Sequence, residues 1–359
     1  MLRGLENLKI RFKLKLHASS FFLFPRKNNI ITNIINLPKN IENLNASRNK
    51  VTIELNLKCN ANCIFCSRDA SGANRGFSLS FEEVKNIIET SKRSGTRMIE
   101  FTGGEALLDS LLPDYLDYTH ELGMQTQLIT NTLGFSNPIL CERLLPKLDS
   151  IEMSVPCVNE NTYNKLTGKK AYFQLITALN NIKKSDCQKQ VFIIALKSNL
   201  PYLLDTLEFF KDFRNLNYIS IVYPLLEGRM HSLFDEYLSF SEFRFYIIPF
   251  LKRAKDLGIN IVGSKIPLCA FFPYENFIFI NSKEFPYKKK VIRKYKNEHV
   301  CAYREENLLD DRVKYLECKE CIYKDSCLGV IGEYKILFKK IDPITREKNE
   351  NRSKYFSKF

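Results

Sequence analysis

From residue 51 onward the sequence alternates between strand-like and helix-like stretches, and this alternation limits the fold more than any other feature. Val51-Thr-Ile-Glu-Leu-Asn-Leu57 has apolar residues at every second position, the pattern of a strand with one buried face. Ser80 followed by Glu83 is a capping-box start for a helix that ends near Gly95. A strand at 98–101 comes next. Helix 110–121 leads to strand 126–130, helix 138–146 to strand 150–154, helix 171–184 to strand 190–196, and helix 201–213 to strand 218–223. Strands that alternate with helices pair in parallel through right-handed crossovers. Six such units across residues 51–230 are too few to close an eightfold barrel, so the chain is expected to be α/β, an open, partial (β/α)6 barrel. Helix 241–256 and strand 259–262 end the repeating part, which gives a barrel over residues 51–263. In parallel barrels ligands gather on the loops after the strands, and the chemistry is sought there.

The 359 residues are 45% apolar, enough for a large core. The net charge of +14 is uneven. Residues 1–50 contribute +8 and residues 335–359 contribute +5, leaving about +1 for everything between. A near-neutral body between a basic N-terminal extension (1–50) and a basic, frayed C-terminal tail (335–359) follows. A further basic run starts at Lys288-Lys289-Lys290. Such segments attract acidic peptides, nucleic acid or anionic lipid, or simply keep a surface solvated. No apolar run approaches the roughly 18 residues of a membrane span. Phe21–Phe24 is too short for a signal-peptide core. The expected location is cytoplasmic, without membrane partners. Eleven cysteines in a reducing compartment point to metal or redox chemistry rather than disulfides.

Cys59-Asn-Ala-Asn-Cys63-Ile-Phe65-Cys66 follows the first strand directly. Thiolates are soft ligands that suit iron–sulfur clusters or zinc. Structural zinc wants four closed ligands, and no fourth Cys or His lies nearby. Three thiolates on a cubane leave one iron open to a small molecule. The spacing, with an aromatic residue before the last Cys, resembles the signature of the radical S-adenosylmethionine (SAM) superfamily. That resemblance implies a [4Fe–4S] cluster on Cys59, Cys63 and Cys66. SAM would chelate the open iron, reductive cleavage would give a 5′-deoxyadenosyl radical, and Phe65 would lie near the adenine. Phe101-Thr102-Gly103-Gly104-Glu105 at the end of the second strand is similar to the family's Gly-Gly-Glu motif, which holds the SAM amino group; Ala106 stands where the family often has Pro. Thr130-Asn131-Thr132 resembles Thr-Asn-Gly. Ser154 matches a position used toward the SAM carboxylate, although Val155-Pro156-Cys157 replaces the usual Leu-Asp-Gly. Lys197, with Asn199 close by, is a candidate partner of that carboxylate. Pro224 to Gly228-Arg229 resembles a Pro-x3-Gly-Arg pattern of the peptide-modifying branch.

A second set, Cys318-Lys-Glu-Cys321 and Cys327, falls in an aromatic, basic segment taken as a small module over 264–334. It resembles SPASM or twitch modules, but position 331 is Ile where a full SPASM module has more cysteines. One auxiliary iron–sulfur cluster is therefore expected, with Cys269 as fourth ligand and Cys301 as the alternative; a structural zinc knuckle is the competing reading. Cys141 is expected to be a small buried hydrophobe and Cys187 a loop residue. Cys157, just past Ser154, is either a buried thiol or a hydrogen-atom donor to a substrate radical. The resemblance implies modification of a peptide or protein, with electrons from a donor such as flavodoxin or ferredoxin. Small-molecule cofactor or natural-product biosynthesis is the alternative. RNA modification is disfavoured because residues 1–58 contain no Cys. A non-catalytic metal-binding module would need no Gly-Gly-Glu loop.

Overall fold

The alternating stretch at residue 51 forms β1 (Lys50–Glu54) in a computed structural model that describes residues 50–70, 78–280, 288–295, 298–305 and 312–351. The basic N-terminal extension, Lys50 apart, and residues 352–359 lie outside the described residues. After β1 come α1 (Phe81–Arg93), β2 (Met98–Thr102), α2 (Leu112–Glu121), β3 (Gln125–Thr130), α3 (Pro138–Leu144), β4 (Ser150–Ser154), α4 (Glu160–Thr167), α5 (Tyr172–Lys183), β5 (Gln188–Ile194), α6 (Leu203–Phe210), β6 (Leu216–Val222), α7 (Phe240–Asp256) and β7 (Ile261–Ser264). Strands β1 to β7 pair in that order, all parallel. The α/β expectation of an open parallel barrel holds.

Alternation explains the layers. Ile53, Phe101, Leu128, Ile151, Met153, Val191, Ile193, Ile219 and Ile221 are buried on the helix side of the sheet. They meet a helix layer whose own buried positions, such as Val84, Ile88, Leu116, Leu175, Leu179, Leu207 and Leu251, recur at helical spacing. Each such side chain contributes about 1.5–3 kcal/mol on full burial. The starts are as the sequence implies: Ser80 and Glu83 form a reciprocal capping box on α1, and Ser239 and Glu242 another on α7.

Two expectations need correction, and one element was not anticipated. Helix α4 has no counterpart among the expected elements. It is short and polar, yet Asn159 caps its start and Gly168 its end. The segment 264–334 does not stand apart from the barrel. Strand β8 (Ile278–Ile280) adds parallel to β7, and β9 (Lys288–Tyr295), which carries the basic run, adds parallel to β1 at the other edge, with β10 (Glu298–Glu305) antiparallel beyond it. Backbone ladder bonds tie this segment into the same sheet. Beyond it, β11 (Arg312–Val313) pairs with β12 (Val330–Ile331). The tail is not frayed over 335–351. Helices α8 (Gly332–Leu337) and α9 (Arg346–Glu350) form there, and Ile341 and Ile344 between them are buried.

Candidate functional site

The first cysteine loop leaves the end of β1 and is stitched down by backbone from three directions. Gly104 N–H donates to the Asn56 carbonyl and Glu105 N–H to the Lys58 carbonyl, both at 2.7 Å. A Cβ on Gly103 would stand 2.5 Å from the Asn56 oxygen, and one on Gly104 would collide with the Lys58 carbonyl. The two glycines are thus required by close approach to the cysteine loop itself. From the far side, Asn62 and Ile64 donate to the Thr167 and Leu166 carbonyls in the last turn of α4, at 2.9 and 2.8 Å. The third contact comes from the loop after β6. Gly228 presses on the Cys66 carbonyl, and Arg229 N–H donates to the same oxygen at 3.0 Å. The Arg229 guanidinium enters the loop, donating to the Cys63 carbonyl (2.6 Å), Asn62 Oδ1 (2.9 Å) and Asp69 Oδ1 (2.9 Å). The Gly-Arg pattern seen in the sequence is therefore a clamp on the loop.

Cys59, Cys63 and Cys66 are half-buried, as is Phe65. The Cys59 sulfur accepts from Ala61 N–H (3.5 Å) and faces Asn131 Nδ2 (3.8 Å). Burial, reinforced by the two neighbouring thiols, pushes Cys63 up to about 12, against the pull of Arg229. Three crowded thiols of this kind release protons when they take a metal.

Glu105 is 1% exposed and spans the loop and the end of β3. Its Oε1 accepts from Thr130 Oγ1 (2.7 Å) and Leu107 N–H (3.0 Å), and its Oε2 from Asn131 N–H (2.7 Å). Burial raises its pKa although all three donors oppose the rise. The carboxylate thus braces Asn131, whose side chain donates to Asn60 Oδ1 at 2.7 Å. Thr132 sits at φ +68°, the left-handed region the family's glycine adopts freely. Ser154 ends β4 half-buried. Lys197 is exposed, lies beyond the end of β5, and bears electrostatically on Glu242 at the start of α7. Asn199 is used up inside the fold: it donates to the Pro156 and Ile194 carbonyls, each at 2.8 Å, and accepts from Leu196 N–H. Cys157 is 1% exposed, with its thiol toward the Asn159 carbonyl and within electrostatic reach of Tyr163 on α4 and Tyr172 on α5. Its burial is that of a packed thiol.

Sequence reasoning missed the open face of the sheet. Glu152 and Ser154 on β4, Gln190, Phe192 and Ile194 on β5, Tyr218 and Val222 on β6, and Val262 and Ser264 on β7 are all half-exposed, alternating with the sealed helix-side residues. Gln127 donates to Gln190 (2.8 Å), which also accepts from Tyr218 (3.0 Å), and Lys50 pairs with Glu100 deeper in the sheet. Alternation of polar residues at i, i+2 along these strands was the available signal.

The second cysteine group assembles from distant segments. Cys269 is buried on a 3-10 turn after β7, and its thiol hydrogen-bonds the Cys321 sulfur. That bond brings Cys321 down to about 6. Cys318 lies within electrostatic reach of Cys321 and Cys327, Cys269 within reach of Cys327, and Gly329 N–H donates to the Cys327 sulfur at 3.4 Å. Cys301 lies on β10, and its side chain is outside the described residues. Cys141 and Cys187 are buried elsewhere. Among the described residues, no three His, Cys, Asp or Glu side chains converge on one point as ligands of a single ion would.

Comparison with known proteins finds a matching family model and similar folds. The family model "Radical SAM superfamily" matches residues 53–210. A protein of Methanocaldococcus jannaschii described as "Probable GTP 3′,8-cyclase" is 27% identical over 184 residues, 49% of this chain and 59% of that protein, so the chain spans about three fifths of that relative's length. Streptococcus suis SuiB, solved with S-adenosylmethionine, is 13% identical over 79% of this chain and 73% of its own, with a TM-score of 0.56. The enzyme anSMEcpe, solved with AdoMet and a Cp18Cys peptide, is 12% identical over 86% of this chain and 95% of its own, with a TM-score of 0.58. These two likenesses are of fold.

Proposed function

We propose that this chain, a radical SAM enzyme by the domain spanning residues 53–210, holds its [4Fe–4S] cluster on Cys59, Cys63 and Cys66 and abstracts hydrogen from a peptide or protein substrate. The donor set fits that cofactor: three soft thiols on one loop, partly open, with amide donors on the Cys59 sulfur and an arginine cation beside Cys63. Cluster and SAM together supply reductive cleavage to methionine and a 5′-deoxyadenosyl radical. The chain's own part is positioning. The Gly103–Glu105 backbone, braced by the buried Glu105 carboxylate, fixes the loop edge that receives the SAM amino group. Asn131 and the Ser154 hydroxyl address the rest of SAM, and Phe65 offers a ring to the adenine. The open face of β4 to β7 receives the substrate. Cys318, Cys321, Cys327 and Cys269 hold one auxiliary iron–sulfur cluster. Flavodoxin or ferredoxin supplies electrons in the cytoplasm. Among the described residues no helix is long and apolar enough to cross a membrane.

The observation that carries this reading is the convergence of three separate strand-end loops and a helix end on the cysteine loop. The peptide reading draws support from the second cysteine group and from the peptide complexes of SuiB and anSMEcpe. A small-molecule substrate is the second reading, favoured by the cyclase relative. The test is anaerobic reconstitution of the full chain with SAM and dithionite. Deoxyadenosine must form, and peptides encoded next to the gene must change mass. Turnover of GTP with unchanged peptides would replace the peptide reading by the second one.

A further inference from the structure

Among the largest fully buried side chains is a cation. Arg244, in the second turn of α7, is 1% exposed. Its Nε donates to the Cys269 carbonyl at 3.0 Å, its Nη1 to Asp342 Oδ2 at 2.8 Å, and its Nη2 to the Asp342 carbonyl. Taking a guanidinium out of water is costly unless charge and hydrogen bonds compensate it. Here one carboxylate and two carbonyls do so, and the thiols of Cys269 and Cys321 lie within its electrostatic reach. Asp342 is gripped a second time by Lys348, which also donates to the Pro343 carbonyl at 2.9 Å. Two residues on, the fully buried Ile344 accepts the Ile322 N–H at 2.8 Å, next to Cys321, and its own amide bears on the Cys321 sulfur. One side chain therefore fixes both the backbone of Cys269 and the chain segment lying along Cys321.

We infer that residues 341–348 form a strap over the second cysteine group and that Arg244 is its positioning residue, so that an iron–sulfur cluster bound there is retained more firmly and has a higher reduction potential. This rests on reading that group as the auxiliary-cluster site. The physical basis is that donors aimed at ligand sulfurs and a nearby cation favour the more negative, reduced cluster, while a covering strap slows access of chelators to the iron.

The test uses the full chain with Asp342→Asn, Arg244→Met and Arg244→Lys. In metal-free protein, hydrogen exchange of the Ile322 amide, whose acceptor is on the strap, should quicken at least about tenfold in Asp342→Asn and Arg244→Met. Asn62 and Ile64 in the first loop should not change. Arg244→Lys should recover part of the protection. The loaded measurement uses a Cys59→Ala/Cys63→Ala/Cys66→Ala background, which leaves only the second site. There the spectroscopically followed potential should fall in Arg244→Met, which removes the cation, and a chelator should remove iron at least about tenfold faster in both Arg244→Met and Asp342→Asn. Unchanged Ile322 exchange overturns the strap. Unchanged potential and iron release overturn its effect on the cluster. If the intact strap in that background takes up no iron–sulfur cluster, the auxiliary-site reading and the tuning claim fall together, and Ile322 exchange still decides whether the strap exists.

Discussion

The two cysteine groups are built in opposite ways. The first is a single loop of eight residues from Cys59 to Cys66, half-open, and held largely by backbone pressed on backbone, with the Arg229 and Asn131 side chains added. The second draws Cys269 to a loop some fifty residues later and is held by buried side chains, above all Arg244. A loop fixed by close main-chain contact tolerates changes in most side chains but not an added methyl group where chains touch. A site gathered from distant segments exists only once tertiary packing is complete, and losing one charged partner leaves the other stranded.

The largest expected effect comes from a proposed cluster ligand. Replacing Cys63 by Ala should lower deoxyadenosine formation more than about a hundredfold while iron at the second site stays bound. Loss of iron from both sites would show that the two groups are not independent. Next comes Gly104→Ala. Its Cβ meets the Lys58 carbonyl, so the metal-free chain should lose about 1–3 kcal/mol in a denaturant titration, with faster amide exchange in residues 56–66 and none of that change in 318–327. Cys157→Ala should cost about 1 kcal/mol and leave deoxyadenosine yield intact. Burial pushes the Cys157 thiol from an ordinary 9.0 up to about 12. The neutral thiol is thus the form the fold favours. Its contribution is whole below pH 9 and fades as pH climbs toward 12, so the variant's stability profile should be flatter over that window. Smallest is Thr132→Gly. Relief at φ +68° is offset in part by the lost hydrogen bond from Thr132 Oγ1 to the Asn131 carbonyl, leaving a gain of up to about 1 kcal/mol on melting.

Much of the barrel could be read from residue periodicity. The strand at Ser150–Ser154 and the capping boxes at Ser80 and Ser239 fall where local pattern puts them, because burial on one face and a capped helix start are local facts. Cys59, Cys63 and Cys66 were visible for the same reason, since their spacing is written in consecutive residues. What stayed hidden is tertiary. Nothing near Arg244 announces that it reaches Asp342, nor that Gly103 and Gly104 stand against Asn56 and Lys58. Helix α4 was legible in principle through its Asn and Gly caps, but its polar face carried no periodic signal. Lys197 looked like a strand-end cation because β5 was placed two residues too far along the chain; it ends at Ile194.

The pairing of β9 with β1 has a consequence for biosynthesis. Val51 lies opposite Lys290 in the ladder, so the strand that launches the cysteine loop has an unsatisfied edge until most of the polypeptide has left the ribosome. Contacts this remote in sequence form late. The cysteine loop is thus synthesised early, while the strand that launches it gains its outer edge partner only late.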